Sequence, residues 1–159
     1  MSASSINDIP FWTMIELNNG IYFSSETDDM DLQMIYNFVK NSYWGKGRSV
    51  EEQHIALQNS INFGLFHENK QIAYTRVMTD RVFFAYLLDF FVIESYRGQG
   101  LGKRLMEKVL DYAPLRQVDK WMLATKDAHG LYSQFGFEPV KDPSKLMDRM
   151  SLRAKEIYQ

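Results

Sequence analysis

Between an apolar run and an amphipathic one, Tyr96-Arg97-Gly98-Gln99-Gly100-Leu101-Gly102-Lys103 concentrates backbone N–H groups and positive charge at one junction. Glycine at alternate positions removes the Cβ atoms that would hold an anion off the main chain. The helix that follows adds the positive end of its dipole. Arg97 and Lys103 supply full charges, so the stretch is suited to holding a pyrophosphate. Its spacing argues against two common uses. A Walker A loop needs Gly-Lys followed by Ser or Thr for magnesium, and Gly102-Lys103 is followed by Arg104. A dinucleotide fingerprint needs G-x-G-x-x-G, whereas Gly98, Gly100 and Gly102 give G-x-G-x-G.

A second chemistry-bearing stretch is Tyr43-Trp44-Gly45-Lys46-Gly47-Arg48, a glycine-punctuated connection with two aromatics and two cations. Loops of this composition bind ligands, and Trp44 and Arg48 are its candidate contacts. With Tyr43 and Ser49 they suggest an aromatic wall and a cation suited to a carboxylate-bearing molecule. The bland alternative is that both cover the core and form surface ion pairs. His54, His67 and His129 share no metal-ligand spacing, so no metal is assigned. The absence of cysteine excludes disulfides, thiolate metal sites and a cysteine nucleophile.

The elements that must position these residues follow from periodicity. Short β-prone runs at 11–17 and 21–24 flank Asn18-Asn19-Gly20, a tight-turn signal. Asp28 and Asp29 precede a helical stripe of Leu32, Ile35, Tyr36, Phe38 and Val39 that ends near Ser42. Ser49-Val50-Glu51-Glu52 matches a capping box and opens a second helix to about Asn59. Strands are expected at 63–67 and 71–79 around Glu68-Asn69-Lys70. A central strand follows at 82–93, whose one charge is Asp89. Leu101, Leu105, Val109 and Tyr112 mark a third helix that stops before Pro114. A strand at 121–124, a short helix at 127–135 stopped by Gly136, and a last strand pair from Phe137 complete the reading. The expected class is α/β of the α+β type: one domain over residues 1–159, with helices flanking a mixed, mostly antiparallel sheet.

Composition agrees. With 159 residues, 45% apolar and 14% aromatic, the chain can bury a sizeable core. A formal charge of −2 lacks the basic field that non-specific binding to nucleic acid needs. No stretch approaches the ~20 apolar residues of a membrane span, and residues 1–10 are polar without a signal-like pattern. A soluble, unprocessed, cytoplasmic protein is expected.

Arg97-Gly98-Gln99-Gly100-Leu101-Gly102 fits the R/Q-x-x-G-x-G/A signature of the GNAT (GCN5-related N-acetyltransferase) superfamily, and apolar Phe90-Phe91-Val92-Ile93 stands just before it. Ala128 through Gly130-Leu131-Tyr132-Ser133-Gln134-Phe135-Gly136-Phe137 resembles the family's A-x-x-L-Y-x-x-F-G-F ending. Two linked motifs in the right order make the resemblance specific over residues 63–139. It implies an N-acetyltransferase that uses acetyl-CoA and acts on a primary amine of a small molecule or an amino terminus. A catalytically silent acyl-CoA-binding sensor is the alternative. Family members often form homodimers.

Residue by residue, the resemblance implies that the amides of Gln99, Gly100, Leu101, Gly102 and Lys103 cradle the pyrophosphate beside Arg97 and Gly98. Phe91 and Val92 would lie along the pantetheine, in a gap where the central strand splays from its neighbour. Tyr132 matches the tyrosine that donates a proton to the departing CoA thiolate. Thr125 stands where a cofactor-contacting asparagine is common, so that contact would differ here. An amine attacks only as its free base, and Asp89 is the candidate proton acceptor. The alternatives for Asp89 are pairing with Arg76 or Arg81, or binding the substrate ammonium. With neither cysteine nor a G-x-S-x-G elbow, direct transfer in a ternary complex is expected.

Overall fold

The computed structural model describes residues 14–158 of the chain. Six strands form one sheet in sequence order: β1 (Ile15–Asn18), β2 (Ile21–Ser24), β3 (Ile61–His67), β4 (Lys70–Thr79), β5 (Phe84–Val92) and β6 (Lys120–Met122). β1 to β5 run antiparallel to their neighbours, and β6 lies parallel to β5. This is the mixed, mostly antiparallel sheet expected from the sequence. Two hairpins are closed by two-residue turns with both residues left-handed, Asn19 (φ 51°) with Gly20 (φ 73°) and Glu68 (φ 50°) with Asn69 (φ 63°). Such turns follow the right-handed twist of the strands they join.

Helices cover both faces and divide the interior into two cores. On one face, α3 (Leu101–Asp111) inserts Leu101, Leu105, Met106 and Val109 against Phe63, Leu65, Ile72 and Val77. Each such side chain contributes about 1.5–3 kcal/mol of burial. On the other face, α1 (Leu32–Val39) and α2 (Val50–Gln58) bury Ile35, Val39 and Leu57 against Phe66, Tyr74 and Phe91. The capping box of α2 forms in full, with Glu52 N–H donating to Ser49 Oγ (3.1 Å) and Ser49 N–H to Glu52 Oε2 (2.8 Å). α1 is capped by Asp31, which accepts from Met34 N–H (3.0 Å). Asp28 and Asp29 lie in the preceding turn, where buried Asp29 accepts the Ser24 hydroxyl.

One irregularity positions the site. Tyr74 pairs with Phe91 and Arg76 with Leu88, so Thr75 alone opposes both Asp89 and Phe90. This is a β-bulge, and Asp89 takes φ 53° to make it. The bulge reverses the alternation of β5. Ala85 and Leu87 point into the α3 core, whereas Phe91, four residues past Leu87, points into the α1 core.

The C-terminal region differs from expectation. β6 has three residues, and α4 (His129–Ser133) is shorter than the helix read at 127–135. The expected strand pair from Phe137 does not form. Residues 137–151 contain no strand, Pro139 and Pro143 lack the N–H a ladder needs, and the charges between them break any two-residue alternation. A fifth helix, α5 (Leu152–Ile157), begins at Ser151, whose hydroxyl accepts from Ala154 N–H (3.1 Å). It docks on the α1–α2 connection through Arg153, which donates to both carboxylate oxygens of Glu52 and to the Gly47 carbonyl. The expected features at residues 1–13 lie outside the described residues. No helix among the described residues is long and apolar enough to cross a membrane.

Gly45 is fixed by close approach: a Cβ there would fall 2.1 Å from Val39 Cγ1 and 2.5 Å from the Val39 carbonyl oxygen. Gly45→Ala is expected to destabilise the fold by about 1–3 kcal/mol through overpacking, measured by urea unfolding. Unchanged stability would contradict this packing.

Candidate active site

β6 pairs with β5 only at Phe84, Ala85 and Tyr86, so residues 87–92 of β5 have no strand beside them on that edge. Past the bulge, Ile93 N–H donates to the Ile72 carbonyl (2.9 Å). Peptide groups of an antiparallel strand alternate in direction, so the N–H and C=O of Val92 point the other way, into the gap. There the Val92 carbonyl accepts from Arg97 Nε (3.0 Å), a bond that ties the glycine loop to the strand end. The Val92 N–H thus faces an edge of β5 that no strand covers.

Gly98 (φ 78°) and Gly100 (φ 73°) are left-handed, and a Cβ at either would meet no atom within 4 Å. Gly100 is the N-cap of α3 and offers no side-chain cap. The first helical bond is Arg104 N–H to the Gly100 carbonyl (3.2 Å); among the described residues nothing accepts from the N–H groups of residues 99–103. Five N–H groups are therefore without a partner at the positive end of an 11-residue helix, beside open space at Gly98 and Gly100, an arrangement that suits a diphosphate. Lys103 is exposed beside them. Leu101 takes part through its amide alone, because its side chain is core. Gly102 faces β5 and α4, where an added Cβ would stand in ordinary contact, 3.6 Å from Phe90 and 3.7 Å from Leu131.

Tyr132, on α4, is 7% exposed, and its ring meets Phe90 and Phe137 edge-on at 5.8 and 6.0 Å. Burial, with Tyr43 nearby, pushes its hydroxyl up to about 12. The phenol is thus a proton carrier across the neutral range. Thr125 Oγ1 accepts from Ala128 N–H (3.0 Å) and so fixes the start of α4. Phe91 is not a wall of the gap. Its ring is buried and stacks on Phe38 at 3.8 Å in the opposite core, so only its backbone lies along the edge.

Across the sheet from Tyr132, Asp89 Oδ2 accepts from Arg76 Nε (2.7 Å), Arg48 Nη1 (2.8 Å) and Gln53 Nε2 (3.3 Å). Burial works to raise this carboxyl, yet the guanidiniums of Arg76 and Arg48 outweigh it and hold the group below the usual carboxylate range. Of the two partners considered from the sequence, Arg76 is present in the cluster. Arg81 is not. Arg48 also donates to Gln53 Oε1 (3.0 Å) and lies 5.8 Å from the Trp44 ring centre. Gln53 escaped the sequence reading, although a polar side chain on the buried stripe it shares with Leu57 is the signal that marks it. Tyr43 also joins the two walls: its hydroxyl accepts from Lys126 N–H (3.2 Å), and Lys126 Nζ is 5.6 Å from its ring centre.

Known proteins share this fold. The model of the acetyltransferase (GNAT) family matches residues 30–137. A GNAT-family protein from Xanthomonas campestris pv. campestris is 35% identical, with a TM-score of 0.80 over 82% of this chain and 93% of that one. A protein from meticillin-resistant Staphylococcus aureus (22% identity, TM-score 0.67, 82% and 99% covered) shares the fold. So does glucosamine-6-phosphate N-acetyltransferase from Arabidopsis thaliana (17%, 0.59, 82% and 97%). A splayed central strand, a glycine cradle on a helix start and a matching family model over two thirds of its length place this chain in the GNAT acetyltransferase family.

Proposed function

We propose that the protein is an N-acetyltransferase that moves the acetyl group of acetyl-CoA to a primary amine by direct attack in a ternary complex. The observation that carries this reading is the meeting of three features at one gap: unpaired amides at residues 99–103, the free edge of Val92, and the buried, protonated phenol of Tyr132. Acetyl-CoA supplies the activated acetyl thioester. The amides of residues 99–103 and the Lys103 charge bind its diphosphate, and the Val92 N–H orients the acyl carbonyl.

The acceptor must attack as a free base. An ammonium of pKa ~10.4 is deprotonated in about one molecule in a few thousand at pH 7, a cost of roughly 4–5 kcal/mol. Asp89 is a poor proton acceptor for this step, because two guanidiniums favour its ionised form and its bonded oxygen already receives three donors. Asp89 serves as the anchor of the bulge, and the amine's proton leaves to solvent. The thiol reference pKa of about 8.5 makes the leaving thiolate a mild base, which the Tyr132 hydroxyl can protonate.

Calorimetry with CoA and thiol release from acetyl-CoA over an amine panel test the reading; CoA binding without thiol release for any amine would instead identify a sensor. Gly100→Trp fills the cradle and forces a bulky residue to positive φ, so CoA binding should be lost in the folded variant. Normal affinity would remove the loop from the site. Tyr132→Phe should lower kcat about 100-fold or more while CoA affinity stays unchanged, and undiminished turnover would end its role as acid. In the wild type, kcat/KM should climb with pH as free amine accumulates and show no fall below about pH 10, since the Tyr132 proton is lost only near 12.

Asp89→Asn should destabilise the protein by about 3–5 kcal/mol, because it leaves Arg48 and Arg76 facing each other without a carboxylate. The folded-state value of Asp89 is depressed, so its contribution is fully present above about pH 4 and is lost as pH falls through the folded value. Urea unfolding against pH should show this acid loss in the wild type and a smaller one in the variant.

A further inference from the structure

We propose that the acceptor amine carries a carboxylate, and that Arg48 binds it. This rests on the acetyltransferase reading and names the substrate class of its acceptor side. The cluster at the bulge holds two guanidiniums, Arg48 and Arg76, against one carboxylate, Asp89. No second acid faces either cation among the described residues. Arg76 is completed by Ser60 Oγ (3.2 Å), and the other groups facing Arg48 are neutral: Gln53, the Trp44 ring and the Tyr158 hydroxyl. Two acids close in sequence are engaged elsewhere, Glu52 with Arg153 and Asp80 with the N–H groups of Val82, Phe83 and Phe84. A largely buried cluster with one surplus positive charge favours an anion strongly, since low polarity magnifies the imbalance.

Accessibility and geometry assign that anion to the acceptor. The Arg48 side chain is 18% exposed, whereas those of Arg76 and Asp89 are 9% and 1%, so Arg48 is the member of the cluster that a solute reaches most readily. Its bonds to Asp89 and Gln53 use Nη1, its remaining polar partner is the neutral Tyr158 hydroxyl, and a carboxylate that displaces this hydroxyl would pair with the planar fork in two parallel bonds. Trp44 forms an aromatic wall behind it. The cluster stands on the α1–α2 face of β5, while Phe90, the next residue after Asp89, faces Tyr132. Val92 lies three positions past Asp89, roughly 10 Å along a strand. An extended amino-carboxylate, with its two ends about that far apart, can therefore reach from Arg48 to the gap with its amine. Lys126, from the segment after β6, stands over the ring of Tyr43 in the same loop and reinforces the same sign.

The test compares matched pairs of acceptors, each amino acid beside its carboxamide and beside the amine lacking the carboxylate, across increasing chain length. Thiol release should show kcat/KM at least tenfold higher for the carboxylate member of the preferred pair. Arg48→Gln should cut the ratio of kcat/KM for that acid over kcat/KM for its carboxamide at least tenfold, whatever the variant loses on both members, with Arg48→Lys intermediate. Equal or better use of the carboxamide by the wild type would overturn the proposal, as would an equal effect of Arg48→Gln on both members. Calorimetric binding of the same acids and carboxamides to the CoA-saturated and CoA-free protein decides the point without turnover or a variant: preference for the acid supports it, and indifference overturns it. Failure to bind CoA would count against the acetyltransferase reading alone, because carboxylate preference is read separately.

Discussion

The left-handed backbone at Asp89 is the constraint on which the rest of the structure turns. A non-glycine residue at φ 53° costs on the order of 1–3 kcal/mol and persists only where its surroundings hold it. Here the hold is electrostatic: Arg76 reaches Asp89 from the neighbouring strand, Arg48 from the α1–α2 connection and Gln53 from α2. Three separate pieces of chain are thus tied to the one residue that reverses the alternation of β5. Past it, Phe91 turns to the α1 core, Phe90 to Tyr132, and the Val92 peptide to the open edge.

Everything on the cofactor side is then a matter of main-chain geometry. Val92 and residues 99–103 offer peptide groups, and the side chains around them serve to aim and space those groups. Arg97 shows this most directly. Read as a charge for an anion, it spends its Nε on the Val92 carbonyl and joins the loop to the strand. Specific side-chain chemistry enters on the acceptor side, where Arg48, Trp44 and Tyr43 come from one connection and are steadied by α5 through Arg153, Glu52 and Gly47.

The contrast between the two sides explains the pattern of similarity. A cradle of amides and a free strand edge can be kept by many sequences, so relatives below 25% identity share the fold. On the proposed acceptor side, Tyr43 and Trp44 stand on a connection, where variation is tolerated more readily than in paired strands, whereas Arg48 is held to the sheet through Asp89.

By itself, the sequence determined what depends on neighbours along the chain. The capping box of Ser49 and Glu52, the Asn19-Gly20 turn and the stripe of α3 all rest on contacts within a few residues, and all stand as read. The two motifs around Gly98 and Tyr132 carried the family with them. Only the tertiary structure decided what depends on distant partners. Asp89 reads as a lone carboxylate in an apolar strand, and its state is set by Arg48, 41 positions away, as well as by Arg76 and Gln53. Phe91 sits on the cofactor strand in either reading, but a single inserted residue in the ladder sends its ring to the other core. The expected strands after Phe137 lack ladder donors at two prolines, and α5 is held in place by Glu52, which lies 101 positions from Arg153. Local periodicity carries no information about such pairings, because their energy comes from burial and charge that exist only once the chain has folded.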